Sequence, residues 1–161
     1  MSNLLKMEKI KVLIAFIHKQ HKVIENLHLS ITKVDLNDYN QQYVFALKTQ
    51  QLYTAVEDLL KSTAVTFENN IDSPQSYHIE LLKRMKLDIP DIRPAVISEP
   101  SFKILDKLRG FRHFIRHGYD YELDKDELLL LQNKITESFM SVSNDIDSFV
   151  IFLEYLLKHE E

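Results

Sequence analysis

The stretch Leu108-Arg109-Gly110-Phe111-Arg112-His113-Phe114-Ile115-Arg116-His117-Gly118-Tyr119 decides what kind of fold this chain adopts. It does not alternate polar and apolar residues, so it does not read as a strand. Its spacing predicts a helix from about Ser101 to His117. At about 100° per residue, Arg112 and Arg116 lie about 40° apart, as do His113 and His117. Arg109, Arg112, His113 and Arg116 therefore form one polar strip. Phe111, Phe114 and Ile115 face away from it and can anchor the helix to a core. Gly118 suits the C-terminal cap, because glycine tolerates the left-handed conformation.

Working outward, the residues before this helix hold Pro90, Pro94 and Pro100. Proline restricts its predecessor and donates nothing to a helix ladder, so Asp88 to Pro100 predicts an extended connection. A short helix ending at Met85 precedes it, opened by Ser73 and Pro74 at the end of the Asn69–Pro74 turn; proline at the first helical position sacrifices no hydrogen bond. Further back, Tyr43, Leu47, Leu52, Ala55, Val56, Leu59 and Leu60 predict a helix to about Phe67, capped by Asn37 or Asp38. Leu5, Ile10, Leu13, Ile17, Ile24 and Leu27 predict the first helix. After the motif, Asp124-Lys125-Asp126-Glu127 resembles a capping box. It opens a last helix whose stripe runs through Leu128, Leu131, Ile135, Phe139, Val142, Ile146, Phe149, Leu153 and Leu156. The expectation is an all-α chain, an antiparallel bundle of four or five helices forming a single domain over residues 1–161.

Composition narrows the function classes. The chain has no cysteine, which excludes disulfides, thiol nucleophiles and thiolate metal sites. Only two glycines and four prolines occur, as expected for long regular elements. The net charge of -4 argues against a uniformly basic nucleic-acid coat, so any phosphate site must be a local patch. Val12-Leu13-Ile14-Ala15-Phe16-Ile17 and Phe149-Val150-Ile151-Phe152-Leu153 are too short to cross a bilayer, which needs roughly 20 apolar residues. No convincing export signal is present, and the expected location is the cytoplasm.

The local patch is the motif helix. From Lys103 to Tyr119 the basic residues are Lys103, Lys107, Arg109, Arg112 and Arg116, against one acid, Asp106. Arginine presents a planar fork matched to phosphate oxygens, and histidine exchanges protons near neutral pH. A metal-free RNA cleavage needs little more. One base deprotonates the 2′-hydroxyl, one acid protonates the leaving 5′-oxygen, and a cation stabilises the phosphorane.

Arg112-x4-His117-x-Tyr119 resembles the Arg-x4–6-His signature of the HEPN superfamily, and more narrowly the motif of HepT-like toxins. His113 fits the polar residue that follows the arginine in that superfamily. The Tyr53…Val56-Glu57-Asp58-Leu59-Leu60 helix, the helix order and the proline-rich connection extend the similarity over most of the chain. The resemblance implies a HEPN-type bundle and a metal-independent endoribonuclease without cofactor. Arg112, His117 and His113 would be its catalytic set, and Arg109 and Arg116 would contact RNA. It also implies a two-fold homodimer with the motifs facing each other. A minimal nucleotidyltransferase antitoxin would add AMP to Tyr119, with Tyr121 as the neighbouring competitor. The alternative is a non-catalytic HEPN module that binds RNA or nucleotide, or a subunit of a nucleotidyltransferase complex. A purely structural helical dimer is a third reading, but it has no use for the basic strip.

Helix geometry adds a constraint of its own. Arg112 and His117 differ by about 140° on a straight helix. They meet one phosphate only if the last turn distorts, which Gly118 permits, or if a second subunit contributes. Elsewhere the signals are weaker. His18-x2-His21 has helix-compatible metal spacing but no third ligand beyond His28. Lys83, Arg84, Lys86 and Arg93 read as a solvated basic face, and Asp145-Ile146-Asp147 as exposed charge. No Gly-rich phosphate loop occurs.

Overall fold

The computed structural model describes residues 3–68, 77–118 and 122–159. Among the described residues there are six helices: α1 Asn3–Thr32, α2 Tyr39–Glu68, α3 Tyr77–Met85, α4 Glu99–His117, α5 Lys125–Ser138 and α6 Met140–His159. Their only β feature is one isolated bridge, Ile89 to Arg93, which closes the turn in the proline-rich connection. Asp91 at its tip takes φ 65°, a left-handed conformation that aspartate tolerates better than most side chains. No described helix is long and apolar enough to cross a membrane.

The apolar stripes explain the packing. Ile10, Leu13, Ile17, Ile24 and Ile31 bury one face of α1 against α2. From α2, Leu52, Val56, Leu59 and Leu60 enter the same cluster, as do Ile104, Leu105 and Leu108 of α4. The expected last helix is broken into α5 and α6 at Phe139, whose backbone stays right-handed at φ -70° and ψ -21°. The stripe nevertheless continues through Ile135, Phe139, Val142, Ile146, Phe149 and Leu153, all buried. Four or five helical rods become six segments because one rod bends around the core. Tyr43 and Leu47, expected on the buried stripe of α2, are exposed, while Phe45, Ala46 and Thr49 take the inner face.

The helix ends follow local chemistry. Asp38, the second of the two expected caps, accepts from Asn40 N at 2.9 Å and Gln41 N at 3.4 Å. Asp124 caps α5 by accepting from Asp126 N at 2.8 Å and Glu127 N at 3.5 Å. Helix α4 starts at Glu99 and takes in Pro100, which belongs in a first turn. Ser98 makes no side-chain cap there. Instead Asp145 reaches across from α6 and accepts from Ser98 N at 2.7 Å, from Ser98 Oγ at 2.8 Å, and from Ser101 Oγ. Asp145 is thus a tertiary cap at the positive end of the α4 dipole, and the exposed-charge reading holds only for Asp147. The expected turn at 69–74 and the Ser73-Pro74 helix start lie outside the described residues.

Arg93 also departs from the sequence reading. Its side chain is fully buried, paired with Glu68, and donates to Leu87 O at 2.9 Å, Pro94 O at 3.1 Å and Arg84 O at 3.2 Å. It ties the proline-rich connection to α2 and α3. Arg84 pairs with the same Glu68 at 2.9 Å, and Lys86 with Glu99 at 3.2 Å. The second basic cluster is therefore structural in its centre and solvated only at Lys83, which sits 3.8 Å from Glu80.

Candidate active site on the motif helix

Helix α4 stays regular through His117. Gly118 N donates to Phe114 O at 2.9 Å, and Gly118 adopts φ -96° and ψ 70° rather than the left-handed cap expected of it. The last turn does not distort to bring Arg112 and His117 together. The two side chains consequently leave the helix on different faces.

Arg112 continues the line Ser101, Leu105, Leu108 by steps of four and three residues, and all three of those residues are buried. Its position makes it the inner edge of the polar strip. Its guanidinium carbon lies 6.0 Å from the centroid of the Tyr53 ring, at the outer range of a cation–π contact. Its Nε is buried without a hydrogen-bond partner. His113 and His117, by contrast, are exposed, and their rings meet at 4.5 Å between centroids with a 50° tilt. Gly110 is on this outer face, with nothing within 4 Å of where a Cβ would stand. Arg116 is exposed and makes no ion pair among the described residues. Arg109 is engaged: its Nε and Nη2 donate to Asp106 Oδ1 at 2.9 Å and 2.8 Å. Tyr119 and Tyr121 lie outside the described residues. Between the end of α4 and the start of α5, Phe111, Phe114, Leu123 and Leu128 line a cleft of about 150 Å³.

Behind Arg112 stand residues to which the sequence attaches no site role. Tyr53 is fully buried, and its hydroxyl makes no hydrogen bond of good geometry. Burial pushes its phenol far up, the nearby Glu57 carboxylate adds to this, and Arg109 and Arg112 oppose it. Glu57 is 2% exposed and accepts from His78 Nδ1 at 2.6 Å, with Lys61 at 3.3 Å. Burial works to raise its carboxyl, but His78, Tyr53 and Lys61 together hold it below the ordinary range. A signal was present: Tyr53, Glu57, Leu60 and Ala64 follow one helical line, so the sequence puts a carboxylate on a core-facing row.

Among the described residues no three His, Asp or Glu side chains are grouped closely enough to hold a metal ion. His21 is engaged by Ser143 Oγ at 2.7 Å, Glu25 at 3.2 Å and Asp147 at 3.5 Å, while the His28 ring packs on Phe139 at 4.9 Å.

The family model for HepT-like proteins matches residues 44–153. This chain belongs to the HepT-like family. The matched span runs from α2 into α6 and includes Tyr53, Glu57, Arg112, His113 and His117. HepT-like membership places the chain in the HEPN superfamily, with the all-helical architecture seen here. No curated protein and no solved structure matches the chain.

Proposed function

We propose that this HepT-like chain is a metal-independent endoribonuclease, the toxin of a HEPN and nucleotidyltransferase pair acting in the cytoplasm. The observation that carries the reading is the division of α4. A pair of histidine rings in tilted contact occupies its open face, and an arginine with no carboxylate partner among the described residues stands at its inner edge. In the proposed reaction an imidazole takes the proton of the 2′-hydroxyl. The 2′-oxygen attacks phosphorus, the bond to the 5′-oxygen breaks, and a second proton donor protonates that oxygen. The products are a 2′,3′-cyclic phosphate and a free 5′-hydroxyl. His117 is the principal proton-transfer group, His113 orients or assists it, and Arg112 stabilises the phosphorane. Arg116 holds flanking RNA phosphate. Arg109 joins it only by exchanging Asp106 for phosphate.

The regular last turn favours the second way past the 140° constraint, a homodimer in which Arg112 of one subunit serves His117 of the other. Tyr119 is the proposed AMP acceptor. Phosphate attached there would occupy Arg112 and Arg116 and block access for RNA. The test is cleavage in EDTA. RNA fragments should carry 2′,3′-cyclic ends, and His117→Ala should abolish cleavage while the helical circular dichroism persists. Activity lost on chelation and restored by a divalent ion would refute the mechanism. RNA bound but never cleaved would point instead to a non-catalytic binding module.

A further inference from the structure

A buried carboxylate is costly unless the structure uses it, and Glu57 lies within one helical turn of the ring that faces Arg112. Arg112 Nε is buried and makes no hydrogen bond among the described residues, while the Tyr53 hydroxyl interacts with Glu57. Native interiors leave few such groups unpaired, and those that persist call for a reason. The neighbours of Glu57 on α2, Leu52, Val56 and Leu60, are apolar and buried, so the carboxylate is met by His78, Lys61 and Tyr53. The geometry points to Tyr53 and Glu57 as positioning residues for Arg112, with the ring as the platform on which the guanidinium rests and the carboxylate as the buried group that holds that ring in place. The role rests on the ribonuclease reading of Arg112.

His78 and Lys61 complete the arrangement from behind. His78 reaches Glu57 from the first turn of α3, and Lys61 from the next turn of α2. Both pair with the carboxylate and fix its place beside Tyr53. Arg112 thereby rests against the ring at the inner edge of the strip, with no direct ion pair among the described residues. A guanidinium held this way keeps its donors for a phosphate, whereas Arg109 has spent two on Asp106. Preorganised cations of this kind lose little on meeting developing charge.

The experiment uses the full chain in two arms. In the kinetic arm, Glu57→Gln and Tyr53→Leu should each lower kcat on the order of 100-fold, with KM held within about twofold, since small misplacement carries that penalty. Tyr53→Phe keeps the ring and should stay within about tenfold of wild type. Placed on Arg112→Gln, Glu57→Gln should add less than about twofold, because residues acting through one group are not additive. Equal losses in both backgrounds would show a merely structural role and overturn the proposal. In the spectroscopic arm, the Arg112 Nε–H resonance of wild type should be ring-shifted and exchange more slowly than that of Arg116. Exchange as fast as Arg116 would overturn the proposal even if the variants fail to fold. A wild type that cleaves no RNA would refute the ribonuclease reading, and the resonance would still decide whether Tyr53 holds Arg112.

Discussion

Arginine at 112 stands where the inner row of α4 calls for an apolar side chain, and the chain answers with an aromatic face and a buried acid. The same economy of polar groups is absent at His28, whose Nε2 is buried without a partner. Burial pushes the His28 imidazole below its ordinary value, against a hydrogen bond to the Ile135 backbone carbonyl that works the other way. The unfolded chain therefore binds a proton that the folded one resists. That contribution to stability is present above the unfolded value near 6.5 and is lost as pH falls. The urea midpoint should accordingly drop between about pH 7 and pH 5. His28→Phe keeps the contact with Phe139 and should flatten that slope; equal slopes would mean the neutral ring contributes nothing. Glu57 acts in a separate, more acidic window. Its depressed carboxyl stabilises the fold above the ordinary value of 4.5, and that support is lost as pH falls through its folded value.

Helix α4 takes its N-terminal cap from another element and leaves a gap on its outer face. Asp145 supplies an acceptor to Ser98 N and to two serine hydroxyls, so Asp145→Ala should cost about 1–2 kcal/mol, with Asp145→Asn costing less. Equilibrium urea unfolding measures both. Gly110 carries the opposite expectation. A glycine in a helix interior is less favourable than alanine by about 1 kcal/mol, and at this position a Cβ meets nothing within 4 Å. Gly110→Ala should therefore stabilise the isolated fold by about that amount. A destabilised Gly110→Ala would mean that the outer face of α4 is covered in solution.

The proposed homodimer would unite what one chain leaves apart. Arg112 is half-buried against α2, while the His113 and His117 rings touch in the open. A composite site predicts complementation. Arg112→Ala and His117→Ala homodimers should each be inactive, yet mixing and reassociating them should restore about half the activity per heterodimer, because one of two sites then holds both groups. No recovery, with subunit exchange verified by sedimentation or mass, would place the site within a single chain. Tyr119→Phe should abolish AMP addition by the co-expressed nucleotidyltransferase, read as a lost mass increment on the intact protein. Continued modification of that variant, with Tyr121→Phe escaping it, would move the switch to Tyr121.

The all-helical class, the order of the helices and the family were legible in the one-dimensional pattern. Apolar spacing of three and four residues, scarce glycine and an Arg-x4-His stretch are local properties, and local properties survive without knowledge of neighbours. Asp38 and Asp124 were readable as caps for the same reason, since each binds amides two or three residues on. The tertiary structure alone decided what each charge does. Asp145 became a cap because α6 crosses the start of α4, and Arg93 became buried because Glu68 meets it from α2. Arg112 turned inward because the row it shares with Leu105 and Leu108 packs against Tyr53, a partner 59 positions away in the numbering of the chain. A strip of charge along a helix fixes angles around one axis; which edge of that strip meets protein and which meets solvent depends on the packing of other helices.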